Sequence, residues 1–69
     1  MKVANVQSSQ IKRIVWENDV MIVTFNTGAV YAYSDAPYAV YTELVEAESV
    51  GHQFNESIRD QFEYQKLTD

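Results

Sequence analysis

Cysteine is absent from this sequence of 69 residues, which also has only one proline, two glycines and one histidine. Without cysteine the chain can form neither a disulfide nor a Cys-ligated zinc site. Two glycines do not supply a glycine-rich phosphate loop, and one histidine among scattered carboxylates does not predict a zinc or iron site. We therefore expect a protein that has no metal and no other cofactor.

Basic residues are also few. Five Lys and Arg residues stand against ten Asp and Glu residues, so the formal net charge is −5. Affinity for duplex DNA comes largely from lysines and arginines that displace condensed counterions. This composition therefore predicts no binding to duplex DNA, although one or two cations suffice to hold a compact anionic ligand.

Long apolar runs are missing as well. None approaches the roughly 20 residues that cross a bilayer, and the start of the chain lacks the layout of a signal peptide. We expect one domain over residues 1–69, located in the cytoplasm and not in a membrane. A chain this short buries roughly 60% of its unfolded surface, so its core is marginal and oligomerisation is the common remaining means of stabilisation.

Three segments have the pattern of β-strands. Ser9–Trp16 alternates with period two, and Val20–Phe25 and Ala29–Tyr33 flank a loop whose Gly28 suits a tight hairpin. Together they predict a three-stranded antiparallel β-meander. Val3–Val6 is too short to place.

Helical spacing begins after the third strand. Pro37 suits the first turn of a helix, which we expect to end near Ser49, with Gly51 free to take a positive φ just beyond. A second helix is predicted from about Gln53 to Gln65. Its core stripe would consist of Phe54, Ile58 and Phe62. The fold class is therefore α+β, with two helices after the meander, packed on one face of its sheet.

Both faces of the second strand are apolar. Val20 and Ile22 point to one face. Met21, Val23 and Phe25 point to the other. Because two short helices cover only one face of a sheet, we expect another copy of the chain on the second face, in a dimer or a tetramer. A monomer with a partly exposed sheet is the alternative.

Residues for catalysis are missing. A serine nucleophile needs a base beside its hydroxyl and usually a carboxylate that orients the base. Ser49 lies three residues before His52, the only histidine, but a helix cap is the simpler role for this serine. We therefore expect a protein that is not an enzyme.

A polar cluster lies on one sector of the second predicted helix. It consists of His52, Asn55 and Arg59. In a structural interpretation, Asn55 caps the helix, His52 bonds a backbone carbonyl, and Arg59 pairs with Glu56 or Glu63.

The same cluster also suits a ligand. An arginine fork such as that of Arg59 binds a phosphate through two hydrogen bonds, and the Asn55 amide suits a base edge. Aromatic rings such as Tyr33 or Phe54 can stack on a base.

An ordered pattern of residues extends over most of the chain. It comprises Ser8-Ser9, Ile11 and Ile14, the pattern V-x-F-x-x-G-x-x-Y-x-Y from Val23 to Tyr33, Pro37, Val40-Tyr41, Ala47, Ser49, Gly51, Phe54-Asn55 and Ile58. This pattern, from about Ser8 to Phe62, resembles the KTSC domain. The resemblance implies a small α+β fold with a three-stranded sheet followed by two helices, and no settled enzymatic activity. Members of that family occur on some lysyl-tRNA synthetases and as short proteins of bacteria and their viruses.

The sequence departs from the family pattern at two places. Val15-Trp16 replaces a more usual Gly-Tyr, and Val50–His52 replaces a basic or small residue followed by an aromatic. The polar positions of the pattern either join the first strand to the helices or line a pocket. The candidate ligand-binding residues are Ser8, Ser9, Tyr33, His52, Asn55 and Arg59.

Two functional hypotheses follow. In the first, a homo-oligomer binds a small anionic nucleotide, such as a cyclic dinucleotide signal, in pockets between subunits. It would act without chemistry, as a viral sponge against host defence in the host cytoplasm. In the second, the domain is an accessory module that binds RNA or protein, as on synthetase tails. An acidic protein that binds a basic host protein through its sheet is a third possibility.

Overall fold

The computed structural model describes residues 1–68 of the chain. In chain order the elements are β1 (Lys2–Asn5), β2 (Ile11–Glu17), β3 (Val20–Phe25), β4 (Val30–Tyr33), α1 (Tyr38–Val45), α2 (Val50–Ser57) and β5 (Tyr64–Lys66). The predicted α+β class with two helices is confirmed. Neither helix within residues 1–68 is long and apolar enough to cross a membrane.

The sheet has five strands rather than three. Their order is β1-β2-β3-β4-β5, and every neighbouring pair is antiparallel. The three predicted strands form its centre, as β2, β3 and β4. Lys2–Asn5 adds one edge strand and Tyr64–Lys66 the other, so the three-stranded expectation describes only part of the sheet.

The second helix is shorter than predicted. It begins at Val50 and ends at Ser57, so the predicted range Gln53–Gln65 is wrong at both ends. The Ser49 hydroxyl caps it by accepting a hydrogen bond from the backbone N–H of His52 at 3.3 Å. Beyond Ser57 the chain turns and pairs with β4 instead of continuing the helix, because that pairing satisfies backbone groups and sets Tyr64 beside the aromatic residues of β4.

Gly51 lies within α2 and does not have the positive φ that was expected of it. Its role is spatial, because a Cβ at this position would lie 3.3 Å from the Ser8 hydroxyl oxygen. The glycine that does have a positive φ is Gly28, with φ 97°, in the loop between β3 and β4.

A β-bulge in β2 changes which residues face the core. The register shifts between Ile11 and Arg13, so Ile11 and Ile14 are both fully buried. The period-two alternation predicted for Ser9–Trp16 would place Ile11 and Arg13 on one side, and it is therefore wrong at this point. An extra residue in one strand has this effect on the side chains around it.

The core lies between the two helices and one face of the sheet, here called the inner face. The buried residues are Ile11, Ile14, Met21, Val23, Tyr33, Ala36, Tyr41, Leu44, Val50, Phe54 and Ile58. The Trp16 indole N–H donates to the backbone carbonyl of Ala36 at 2.8 Å, which ties β2 to the segment before α1. On the opposite, outer face, Val15, Ile22 and Ala32 are only half-buried.

Candidate functional site

A groove of about 610 Å³ opens beside β4, β5 and α2. Five aromatic side chains line it, namely Phe25, Tyr31, Tyr33, Phe54 and Tyr64. Its polar lining consists of Ser9, Gln10, Asn26, Thr27, Asn55, Arg59 and Asp60. It is thus an aromatic surface with polar and charged groups at its margin.

The strand pairing places the tyrosines together. Tyr31 and Tyr33 are two residues apart on β4, so they project from the same face. Tyr64 of β5 is the register partner of Tyr33, and their ring centroids are 5.7 Å apart. The ring centroids of Tyr31 and Tyr64 are 5.5 Å apart. The addition of β5 to the sheet therefore completes a group of three tyrosines.

Phe54 joins this aromatic group to α2. Its ring meets Tyr33 edge to face at 5.6 Å and meets Phe25 in the same way at 5.4 Å. Tyr33 and Phe54 are each only 3% exposed, whereas Tyr64 is 58% exposed. The first two form the base of the groove, and the ring of Tyr64, together with the half-buried ring of Tyr31, is accessible to a ligand.

Two cations lie at this surface. Arg59 follows the C-cap of α2 and lines the groove, and within residues 1–68 no carboxylate lies within salt-bridge distance of it. The Lys66 ammonium lies 6.0 Å from the centroid of the Tyr31 ring, at the outer limit of a cation–π contact. The groove also contains one carboxylate, that of Asp60.

The Tyr33 hydroxyl belongs to a site that keeps it neutral. Burial raises its pKa from 10.0 to about 12, and the neighbouring Tyr31 and Tyr64 act in the same direction, while the charge of Arg59 opposes them. At neutral pH the phenol is therefore protonated and is able both to donate and to accept a hydrogen bond.

Four of the six candidate ligand-binding residues line the groove, namely Ser9, Tyr33, Asn55 and Arg59. The structural interpretation does not describe them correctly, because Ser49 rather than Asn55 caps α2. Arg59 also lacks the predicted pairing with Glu56 or Glu63 among residues 1–68.

The other two candidates, Ser8 and His52, are not among the lining residues. The Ser8 hydroxyl accepts hydrogen bonds from the backbone N–H groups of Gln10 at 3.1 Å and Ile11 at 3.3 Å, which shapes the entry into β2. The side chain of His52 is 70% exposed, and its Nε2 lies 3.1 Å from a carboxylate oxygen of Glu56. It pairs with that carboxylate, not with a backbone carbonyl.

The sequence interpretation missed several residues at the groove. Tyr31 lies two residues before Tyr33 on the same predicted strand. The period-two pattern of a strand therefore predicts that both side chains project from the same face. Tyr64 was assigned to the predicted helix Gln53–Gln65, but it lies on the strand β5 and lines the groove. Lys66, two residues later on β5, lies beside the Tyr31 ring. Gln10, Asn26 and Thr27 belong to loops and gave no periodic signal.

The groove offers several kinds of non-covalent contact. The one histidine lies outside it, and within residues 1–68 no group of three or more His, Asp or Glu side chains is placed to hold a metal ion. The lining offers aromatic rings, amides, hydroxyls and the Arg59 guanidinium, and Lys66 lies beside the Tyr31 ring. Such a set can stack on a planar ring and contact an anion.

Comparison with known proteins identifies the family. Residues 7–62 match the KTSC domain. The chain belongs to the KTSC domain family. A KTSC domain protein of known crystal structure from Yersinia pestis has a TM-score of 0.89, with 25% identity and coverage of 97% of both chains.

Relatives of this KTSC chain are of two kinds. An uncharacterised protein of Stutzerimonas stutzeri (strain A1501) is 35% identical over 88% of this chain and 89% of its own length. Lysine–tRNA ligases of Nostoc punctiforme and Trichormus variabilis are 33% and 34% identical over 90% of this chain. This chain corresponds to only 11% of each ligase.

The KTSC match includes all of the aromatic groove residues except Tyr64. Tyr64 and Lys66 follow residue 62, where the match ends. The edge strand β5 therefore adds Tyr64 to the groove from outside the matched part of the chain.

Proposed function

We propose that this KTSC protein is a non-catalytic, homo-oligomeric binding protein that sequesters a small anionic nucleotide of the cyclic dinucleotide type in the cytoplasm. The observation that carries the proposal is the groove in which Tyr31 and Tyr64 present accessible rings beside Arg59 and Lys66. A nucleotide combines a planar base with a phosphate, and the groove offers a contact for each.

The aromatic part of the groove suits a base. Stacking of a base on an aromatic side chain contributes about 1–3 kcal/mol and tolerates any base, since every base has a π-face. The groove volume of about 610 Å³ lies in the range of small-molecule sites, roughly 300–1,000 Å³. The amide of Asn55 at the margin is suited to a hydrogen bond with a base edge.

The charged part of the groove suits a compact phosphate. Arg59 has no carboxylate partner within residues 1–68, so its guanidinium can bind phosphate oxygens through two parallel hydrogen bonds. The net charge of −5 disfavours long polyanions, which need many cations. This balance favours a small anionic ligand over a nucleic-acid duplex.

The groove of one chain offers both a surface for stacking and the Arg59 cation, so we propose one nucleotide per subunit. The oligomer is proposed because the apolar outer face is covered by no element of residues 1–68. The proposal includes a viral origin and a role against host defence.

Isothermal titration calorimetry tests the nucleotide site. The probes are a cyclic dinucleotide, its linear counterpart and a mononucleotide. We expect one ligand per subunit, and at least about a tenfold loss of affinity in Arg59→Ala, because a charge-assisted hydrogen bond contributes about 1.5–3 kcal/mol. Lys2→Ala is the matched control, because it removes a positive charge from β1, at the opposite edge of the sheet. Absence of binding to all three probes, or equal losses in the two variants, would contradict the proposal.

A second function is favoured by one observation, the similarity to parts of two lysine–tRNA ligases. In this alternative the same rings stack on bases of single-stranded RNA. Salt dependence separates the two functions, because each phosphate contact to a single strand contributes about −0.7 to the slope of log K against log salt. Arg59 and Lys66 alone account for at most two such contacts, or a slope of about −1.4. A much steeper slope with a short RNA would favour the RNA module.

A further inference from the structure

The outer face of the sheet carries a row of apolar side chains across four strands. Val3 pairs with Val15, Val15 with Ile22, and Ile22 with Ala32, so these four residues lie side by side. Val3 is 53% exposed, and the other three are half-buried. A row of this kind on one sheet face is characteristic of a surface that packs against another protein.

Two opposite charges flank this row on β2. Arg13 lies two residues before Val15 and Glu17 two residues after it, so all three side chains project from the outer face. The charged positions are about 13 Å apart along the strand. Within the chain, Arg13 donates from Nε to the Asn5 amide oxygen at 3.3 Å. Glu17 lies 3.8 Å from the N-terminal ammonium, and both groups are 59% exposed.

From this arrangement we infer that the outer face is the interface of a two-fold dimer in which Arg13 of each subunit faces the partner's Glu17. The two-fold axis runs along the apolar row, across the strands. Rotation about this axis lays Val15 and Ile22 over the same residues of the second copy and reverses the direction of β2. Each dimer thereby gains two pairs of opposite charges, one on each side of the apolar row.

The other face-to-face arrangement has its axis parallel to the strands, and it lacks this complementarity. The row that contains Arg13 would then face its own copy. Besides Arg13 that row contains Asn5, Thr24 and Val30, and none of them is a carboxylate. Charge complementarity therefore selects the axis across the strands, because opposed charges set the register of an interface.

This inference rests on the proposed homo-oligomer but not on the nucleotide. The groove residues Tyr31, Tyr33 and Tyr64 project from the inner face, so a dimer joined through its outer faces leaves one groove open on each subunit. Nucleotide binding and dimerisation can therefore fail separately.

The size of the face predicts the strength of the dimer. The five strands contain 24 residues. With a rise of about 3.3 Å per residue and a strand separation of about 4.8 Å, they present roughly 400 Å². A standard stable interface buries about 800 Å² per partner. We therefore expect a dimer that dissociates at micromolar protein concentration, which makes the effect of charge changes measurable.

Sedimentation velocity over a concentration series tests the interface with charge exchanges. Arg13→Glu places two carboxylates opposite each other on both sides of the row, and Glu17→Arg places two cations there. We expect each single variant to raise the dimer dissociation constant about tenfold or more, since like charges across an interface are strongly disfavoured. The double variant Arg13→Glu/Glu17→Arg restores opposite charges, and its dissociation constant should return to within about threefold of the original.

If the dimer dissociation constant of the double variant stays as high as in the single variants, the proposed register is wrong. A second test replaces the centre of the row: Ile22→Glu should abolish the dimer, whereas Ala39→Glu, an equal charge change at an exposed position of α1, should not. Circular dichroism establishes that both variants are folded. A dimer that persists in folded Ile22→Glu would place the interface elsewhere.

Sedimentation of the protein without substitutions gives the remaining outcome. A monomer at every concentration would overturn the interface together with the homo-oligomer on which it rests. Calorimetric titration of the same samples with the cyclic dinucleotide then decides the nucleotide site independently. Retained binding in monomeric Ile22→Glu would show that each groove works within one chain.

Discussion

The ring of Tyr33 meets the ring of Phe54 edge to face, with centroids 5.6 Å apart and planes at 79°. This contact joins β4 to α2 and forms the base of the groove. The Phe54 carbonyl also accepts hydrogen bonds from the backbone N–H groups of Ile58 at 2.9 Å and Arg59 at 3.0 Å. The position of the arginine backbone is thus fixed by the residue that carries the buried ring.

Tyr31→Leu should weaken nucleotide binding and leave the fold nearly unchanged. The leucine keeps an apolar side chain on β4 but removes the ring that stacks on the base and contacts Lys66. The expected loss of binding free energy is about 1–3 kcal/mol for one stacked base. Calorimetry measures it. Tyr38→Leu on α1 is the control, because Tyr38 contacts Trp16 and Tyr41, outside the groove. Equal losses in both variants would contradict a role for Tyr31 in stacking.

His52→Ala should leave ligand binding unchanged, although the sequence placed this histidine in the site. Its side chain is 70% exposed and pairs with Glu56 one helical turn away. Exposed pairs of this spacing stabilise a helix by only about 0.3–0.5 kcal/mol, so urea denaturation should show a small change. A loss of nucleotide affinity in this variant would place His52 in the site after all.

Protein stability should fall as the pH rises from 10 towards 12. The Tyr33 pKa is about 12 in the folded protein, against an ordinary value of 10.0. Between these values the unfolded chain releases its proton while the folded chain retains it, so deprotonation favours unfolding. The contribution is present below pH 10 and is lost as the pH rises through 12. Thermal denaturation over this range measures it.

Tyr33→Phe is the matched variant for the pH dependence. It keeps the ring contact with Phe54 and removes the titrating hydroxyl. We expect its stability to fall less steeply over the same pH range. An identical slope in the two proteins would contradict the account of Tyr33.

Gly51→Ala should destabilise the protein even though alanine favours a helix by about 1 kcal/mol over glycine. The new Cβ would lie 3.3 Å from the Ser8 hydroxyl oxygen. That hydroxyl cannot retreat freely, because it accepts two backbone hydrogen bonds at the start of β2. In a Ser8→Ala background, Gly51→Ala should lower the free energy of unfolding by a smaller amount. Urea denaturation of the four proteins in this cycle measures the coupling, and an additive result would refute it.

The central part of the fold was predictable because its signals are local. Strands β2, β3 and β4 alternate or contain apolar runs between turn residues, and α1 follows Pro37 with helical spacing. The bulge after Ile11 was not predictable, since one additional residue in a strand leaves no periodic trace. The strand β5 was missed because Phe54, Ile58 and Phe62 continue a helical spacing past Ser57, while the pairing that creates β5 is with distant β4.

The same reasons decide which groove residues the sequence could reveal. Asn55 and Arg59 were found because they share a helical sector, and Tyr33 because it belongs to an aromatic strand. Tyr64 and Lys66 depend on a strand that exists only through tertiary pairing. Ser8 and His52 are polar residues close in sequence to the groove residues Ser9 and Asn55. Their side chains, however, serve a turn and a surface pair.

The most direct test of the nucleotide site is a titration of the ¹⁵N-labelled protein with a cyclic dinucleotide, followed by NMR chemical shifts. The account predicts that the amide signals of Tyr31, Tyr64, Asn55 and Arg59 change with a single saturating curve, while those of the outer residues Val15 and Ile22 remain. Saturation should occur at one ligand per subunit. A titration that leaves the groove signals unchanged, or that moves only signals outside the groove, would contradict it.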